Sequence, residues 1–296
     1  MKPFFRLFVP PCIYILASVI RSAVVYYQNR NLPKVRLNSK SGKSLCVIGN
    51  GPSLNQSLEQ NLNEIKTMDC IAVNQFATTS YFSLLQPSAY LIADGAYFQE
   101  IDSLSSRLQK IVLSTIKCLN DVVNWEMSLY LPFHAYNSYF YREIKKNRNI
   151  KVEFYNCNAP IRYLIGSKLL YWMWNHNYIG HLAQTVLNTC LGLGIEMGYS
   201  TIYIIGADTS WHETYWMDQR TNELYSVDKH FYGEEKIKIF KDNKQCEPAK
   251  LHEELRNVTN ALESYWILAN YAKFNNVQIF NASSYSWIDA FKRKQL

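Results

Sequence analysis

Short apolar runs, each stopped by a turn or polar residue, punctuate the chain. Residues 45–48 run into Gly49-Asn50-Gly51-Pro52-Ser53, residues 69–73 into Asn74-Gln75-Phe76, and residues 90–93 into Asp94-Gly95. Residues 201–205 end in Gly206-Ala207-Asp208, and residues 277–280 in Asn281-Ala282-Ser283. Continuous apolar runs bounded by turn residues are the pattern of strands buried on both faces. Helical spacing fills the gaps: residues 55–67 carry Leu58, Leu62 and Ile65, residues 183–197 are apolar with two glycines, and residues 250–273 form a long amphipathic stretch. Strands alternating with helices predict an open α/β sheet. In such sheets ligands sit at the carboxyl ends of strands, so the ends after residues 48, 73 and 93 converge on one site. Residues 111–114 are a further apolar run. The stretch 115–180 is the least patterned, with a Tyr-rich piece at 136–141, a basic turn-like piece at 145–152, and Trp172, Trp174 and His176. It is read as a candidate lid or insert, and the two tryptophans as packing.

The first of these strand ends carries the sharpest local signal. Gly49 and Gly51 permit a tight turn and a close backbone approach, and Pro52-Ser53 suits a helix start, with Ser53 and Asn55 as candidate caps. Strand, glycine turn and helix N-terminus together offer backbone N–H groups to a phosphate. An ordinary tight turn is the plainer reading. No Gly-Lys-Ser/Thr closes the motif and the third glycine of the dinucleotide fingerprint is missing, so neither of those phosphate loops is present.

The N-terminal segment changes the picture. Residues 7–27 are apolar apart from Ser18, Arg21 and Ser22, with Lys2 and Arg6 before and Arg30, Lys34 and Arg36 after. Pro10-Pro11 and Arg21 leave an uninterrupted stretch of about ten residues, against the roughly 20 needed to cross a bilayer. Residues 1–36 are therefore expected to associate with a membrane surface, peripherally or monotopically. A secretory signal and a helix packed on the protein's own core are the rival readings. A polar linker at 38–43 leads into a single domain over residues 43–290.

Composition adds three constraints. The net charge of +7 suits an anionic partner, but no basic run interleaved with aromatics supports nucleic acid. Aromatic content is 15%, which supplies flat walls for sugars and bases as well as core. Seven scattered cysteines without a Cys-x-x-Cys pair indicate a reducing compartment and no structural metal. The candidate acid–base residues are His230, His212 and Asp208. A histidine titrates near neutrality and suits a general base, while Asp208 at a strand end can orient one. Glu253-Glu254 sit where acids complement a helix N-terminus, and no Asp-x-Asp suggests a metal-dependent transferase.

Gly49-Asn50-Gly51-Pro52-Ser53-Leu54, Asn74-Gln75-Phe76 and the helix–Gly198-Tyr199–strand–Gly206-x-Asp208 block together resemble the bacterial lipooligosaccharide sialyltransferases that use CMP-sialic acid, within the wider MptE-like superfamily. The resemblance covers roughly residues 43–290. It implies a single Rossmann-like, mainly parallel sheet, the GT-A-like variant with a lid. The activity it implies is inverting, metal-independent transfer of a sialic or other nonulosonic acid from a CMP-activated donor to a cell-surface glycan such as lipopolysaccharide. It implies that Asn50, Gly51, Ser53 and Asn74 contact the CMP moiety, that His230 is the general base, and that Trp211, His212 and Tyr215 occupy the loop whose tyrosines assist departure of the phosphate in that family. With the apolar N-terminal segment it implies a location at the cytoplasmic face of an inner membrane. Gly49, Gln75, Asp94 and Gly206 complete the candidate donor-binding group, and Asp208 joins His212, Tyr215 and His230 as a candidate catalytic residue. Asp94 departs from the asparagine of that family, and its central-helix arginine has no counterpart at Ala183, with His181 nearby. The expected partners are a nucleotide-sugar donor, a glycan or lipid-linked acceptor and a membrane surface, with homo-oligomerisation open. A pyrophosphokinase using ATP and magnesium, with Asp94 and Asp208 as ligands, is the alternative, alongside a transferase with another nucleotide sugar. A catalytically inactive tethered scaffold is the third class.

Overall fold

The computed structural model describes residues 10–159, 164–181, 184–230, 233–241 and 247–296, with backbone only for 228–230 and 233–235. The chain opens with a helix, α1 (Pro11–Gln28). Alternation of strand and helix follows: β1 (Ser44–Ile48), α2 (Leu54–Ile65), β2 (Asp69–Val73), α3 (Ser80–Leu85), β3 (Ala89–Leu91), α4 (Ser106–Val122), β4 (Met127–Pro132), α5 (Tyr139–Ile144) and β5 (Ile150–Tyr155). Then come α6 (Lys168–Trp174), α7 (Val186–Glu196) and β6 (Thr201–Ile205). Three strands, β7 (Tyr215–Met217), β8 (Leu224–His230) and β9 (Gly233–Lys238), precede the long α8 (Leu251–Phe274), and β10 (Gln278–Asn281) and β11 (Lys292–Arg293) end the chain.

Eight strands form one sheet in the order β11-β10-β6-β1-β2-β3-β4-β5, and every pairing in it is parallel. The chain steps outward from β1 to β5, then returns to lay β6 against the other side of β1. The order therefore reverses between β1 and β6, the place where open α/β sheets hold ligands. This is the Rossmann-like parallel α/β sheet expected from the strand pattern. A separate antiparallel sheet, β7-β8-β9, stands as an annex beside it.

Alternating residues of each strand point to opposite faces, which divides the core in two. Leu45, Val47, Ile71 and Val73 join Trp174 of α6, Leu191 of α7 and Tyr265 and Leu268 of α8 on one face. Cys46, Ile48, Cys70 and Ala72 join Leu58 of α2, Val112, Ile116 and Leu119 of α4 and Phe140 of α5 on the other. Both faces of the sheet are covered, which is why its strands read as unbroken apolar runs.

Several expectations shift. The apolar run 111–114 lies inside α4, where Val112, Thr115, Ile116 and Leu119 are buried at helical spacing. The stretch 115–180 supplies β4 and β5 of the main sheet rather than standing apart from it, and the small subdomain beside the sheet is made by residues 215–238. The helix expected over 183–197 begins at Val186, because Thr185 and Asn188 cap it reciprocally. Ser53 does not cap α2 with its hydroxyl. The basic tail is β11, with Lys294 Nζ donating to the Tyr203 hydroxyl at 3.0 Å. Among the described residues no helix is long and apolar enough to cross a membrane.

Candidate functional site

The junction of β1 and β6 is held by backbone. Gly49 N–H donates to the Ile205 carbonyl and Gly51 N–H to the Gly206 carbonyl, both at 2.8 Å. The two turns approach so closely that a Cβ on Gly49 would overlap the Gly206 carbonyl, and one on Gly51 would lie 2.7 Å from that same oxygen and against Asp208. Asp208 fixes the far side of the turn. Its carboxylate accepts the Ser53 N–H at 3.0 Å and also the Ser53 hydroxyl. Burial pushes the Asp208 carboxyl above its ordinary range, although both bonds from Ser53 pull it back. The glycines thus serve the approach of one strand end to another, and their N–H groups are already engaged.

Beside this junction lies a cleft of about 840 Å³, within the size range of small-molecule sites. Its floor is Gly49, Asn50, Gly51, Asn74, Gly206 and Asp208, from the ends of β1, β2 and β6. Asn50 Nδ2 donates to the Val73 carbonyl at 3.0 Å, tying the β1 turn to β2. Asn74 sits at positive φ, a conformation asparagine tolerates, and its carbonyl accepts the Tyr90 hydroxyl at 2.6 Å. Opposite the floor, the start of α7 enters the cleft through Gln184, Thr185, Val186 and Leu187. Thr185 Oγ1 lies 3.1 Å from the Tyr265 hydroxyl of α8, so the cap is anchored from behind.

The annex and α8 form the outer wall, with Trp211, Thr214, Tyr215, Ser226, Ile239, Glu254 and Asn257. Tyr215 donates to Glu254 at 3.5 Å. Burial first, and the Glu254 charge second, push the Tyr215 phenol up to about 12, so it stays protonated and able to donate at neutral pH. Among the described residues lining the cleft there is no lysine, arginine or histidine. The positive potential available there comes from backbone N–H groups, foremost at the α7 N-terminus.

The sequence-predicted residues separate clearly. Gly49, Asn50, Gly51, Asn74, Gly206, Asp208 and Tyr215 line the cleft together. Ser53 is buried beneath it on Asp208. Gln75 is exposed and lies outside the lining. Asp94 borders a second, smaller cavity of about 260 Å³ with His134 and Cys157, which shares Asn74 and Gln184–Val186 with the main cleft. Its Oδ1 accepts the Ala96 N–H at 2.9 Å. The magnesium alternative depends on Asp94 and Asp208, and both carboxylates are engaged locally. His212 packs edge-on to Trp287 at 4.5 Å outside the lining, with Nδ1 buried and without a hydrogen bond to any described residue. The backbone of His230 ends β8, and its side chain lies outside the described residues. His181 is buried against Glu196 at 3.1 Å, beneath α7 rather than in the cleft.

Sequence reasoning placed Trp211 in the right loop and missed Thr185, Ser226, Glu254 and Tyr265. The Thr185-x-x-Asn188 spacing is a readable cap signal. Ser226 is brought to the cleft by annex pairing, and Glu254 and Tyr265 by the packing of α8, which no local pattern announces.

Doubly covered parallel sheet, cleft at the strand-order reversal and helix N-terminus facing it define a Rossmann-like α/β protein. No protein-family model matches the chain, and no curated protein matches its sequence. In structure it is similar to the MAf glycosyltransferase from Magnetospirillum magneticum AMB-1, with a TM-score of 0.50 at 11% identity over 89% of this chain and 35% of that one. The chain thus spans about a third of that protein's length, and the likeness is one of fold.

Proposed function

We propose that the protein is a glycosyltransferase that moves a sialic or other nonulosonic acid from a CMP-activated donor to a cell-surface glycan, with inversion and without a metal ion. The observation that carries the reading is the cleft at the β1/β6 reversal. It is walled by polar groups and aromatic rings, with the carboxylates Asp208 and Glu254 in its lining and a helix N-terminus entering it. Two supports stand beside it: the Gly-Asn-Gly-Pro-Ser-Leu and Asn-Gln-Phe motifs, of which Gly49, Asn50, Gly51, Pro52 and Asn74 line the cleft, and the fold shared with a protein named as a glycosyltransferase.

In this reading Asn50 and Asn74 hydrogen-bond the nucleotide and sugar, and the α7 N-terminus faces the phosphate. Tyr215, kept protonated by burial and by Glu254, turns its hydroxyl from Glu254 to the phosphate as the glycosidic bond breaks. A donor aimed at charge that grows in the transition state contributes more than one that binds the ground state equally. His230 takes the proton of the attacking acceptor hydroxyl. The single phosphate of a CMP donor suits a cleft whose described lining has no cationic side chain, because one phosphate places less charge there than a diphosphate.

Thermal shift against CMP, CDP, UDP, GDP and ATP, each with and without magnesium, tests it. A ligand at about 100 times its Kd stabilises the fold by roughly 2.7 kcal/mol. Stabilisation by CMP without magnesium, lost in Asn74→Ala, is the expected result. Stabilisation only by a nucleoside di- or triphosphate with magnesium overturns the proposal.

A further inference from the structure

A surface helix ordinarily turns its apolar stripe toward the core and its polar face to water. Helix α1 is apolar on both sides: Ile15, Val19 and Val25 pack against the core, and a second apolar row faces water. Ser18 and Ser22 are buried, Ser22 at 2% exposure, whereas Ile13, Leu16, Ile20, Val24 and Tyr27 stand out, Leu16 at 60%. These five recur at helical spacing on one face, and Arg21 is the only charge in the helix. Outward apolar residues at this density form a patch that water does not favour.

The patch continues onto α6. A cavity of about 270 Å³ between the helices is lined by Val19, Ser22 and Ala23 of α1 and by Leu169, Trp172 and Tyr178. The Tyr26 and Tyr178 rings meet edge-on at 4.8 Å, and Tyr178 and Trp172 at 5.5 Å. Leu169 and Trp172 are themselves exposed. Two helices distant in sequence therefore present one apolar surface with an aromatic margin.

The sequence that carries it is rich in cations. The first 58 residues contain eight lysines and arginines and no aspartate or glutamate, and of the eight Lys40 pairs with Asp69 at 2.9 Å. Arg30 stacks on the exposed Tyr27 ring at 4.1 Å and Lys34 on Tyr26 at 4.9 Å, at the C-terminal end of α1. Lys168 flanks Leu169 and is exposed. Apolar residues at the centre, tyrosine and tryptophan at the margin and cations around them match the acyl boundary, the interface and the anionic headgroups of a bilayer in turn.

We propose that the outward face of α1, extended by Leu169 and Trp172, docks on an anionic lipid bilayer without crossing it. The inference is independent of the nucleotide reading. The structure makes α6 part of the docking face, a contribution the apolar pattern of the N-terminus does not contain.

Flotation of the full chain with vesicles of phosphatidylcholine, alone or mixed with phosphatidylglycerol, tests it. Binding to the mixed vesicles that weakens as salt rises is expected, with little binding to phosphatidylcholine alone. Leu16→Glu with Ile20→Glu should weaken binding by more than about tenfold, since both side chains lie in the apolar contact. Trp172→Ala should weaken it by about threefold while α1 is intact. Both variants alter solvent-facing residues, and an unchanged unfolding midpoint and circular dichroism spectrum show that the fold survives. The proposal fails if the full chain floats with neither vesicle, or if both variants float like the parent. It also fails if the chain is a dimer that Leu16→Glu with Ile20→Glu dissociates without any vesicle binding, which would assign the face to a second copy.

Discussion

Two helices begin at the cleft, and they treat their N-terminal N–H groups in opposite ways. At α2, the helix that follows the glycine motif, Ser53 N–H is held by the buried Asp208 carboxylate and Leu54 N–H by the Gly51 carbonyl. A carboxylate of the protein already occupies the place where a phosphate is expected. At α7 the cap is neutral: Thr185 Oγ1 accepts the Asn188 N–H and Asn188 Oδ1 accepts the Thr185 N–H. Val186 and Leu187 line the cleft, and their N–H groups have no hydrogen-bond partner among the described residues. The motif that looks like a phosphate loop is thus a joint between strands, and the helix start suited to an anion is the other one. A glycine motif and a helix N-terminus do not make an anion site until their N–H groups are counted.

Substitutions can pull the two helix starts apart. Gly51→Ala forces a Cβ against the Gly206 carbonyl and Asp208. Because neither backbone oxygen nor buried carboxylate yields, urea denaturation should show a loss of about 3 kcal/mol. Tyr215→Phe should leave stability nearly unchanged and lower the transfer rate about 100-fold at saturating donor, as loss of one preorganised donor does; an unchanged rate would remove Tyr215 from the chemistry. Thr185→Val removes the α7 cap and its bond to Tyr265. It should cost about 1 kcal/mol of stability and reduce the CMP-induced shift more than it reduces the unliganded midpoint. If the shift stays the same, α7 does not hold the phosphate.

The smallest effect concerns pH. Asp208 keeps its proton more tightly folded than unfolded. Its favourable contribution is therefore complete below the ordinary value of 3.8 and is lost as pH rises through its raised folded value. The stability of the wild type relative to Asp208→Asn should fall over that interval and level off above it. A difference that grows with pH would mean that the Ser53 bonds outweigh burial.

How much was legible follows from where each residue sits. β2 and β6 match the sequence reading residue for residue, because strands covered on both faces are apolar throughout. β5 lies at the sheet edge, where Lys151 is exposed and Glu153 pairs with it. Such charges protect an edge and erase the apolar run, so the strand looked like a basic turn. β4 (Met-Ser-Leu-Tyr-Leu-Pro) is interrupted by Ser128 and followed by Phe133 rather than a glycine or asparagine, so no turn residue marks its end. At the site, residues next to strand ends were readable, since the chain itself delivers them there. Glu254 was assigned to the α8 dipole, and only the packing of α8 beside the annex brings it to Tyr215. The outward face of α1 was legible as apolar but not in its direction, which depends on Ser18 and Ser22 turning inward.

The pairing of β1 with β6 also orders events in time. Ser44 lies beside Thr201, a separation of about 150 residues that makes this contact costly to close early. Strands β1 to β5 pair with near neighbours in the chain and are made first as the polypeptide emerges. Until β6 arrives, one flank of β1 is an open edge and the turn at Gly49–Ser53 has nothing to close on. The cleft is consequently among the last parts of the molecule to come into being, and a ribosome-bound chain that stops short of Asp208 carries most of a sheet but no cleft.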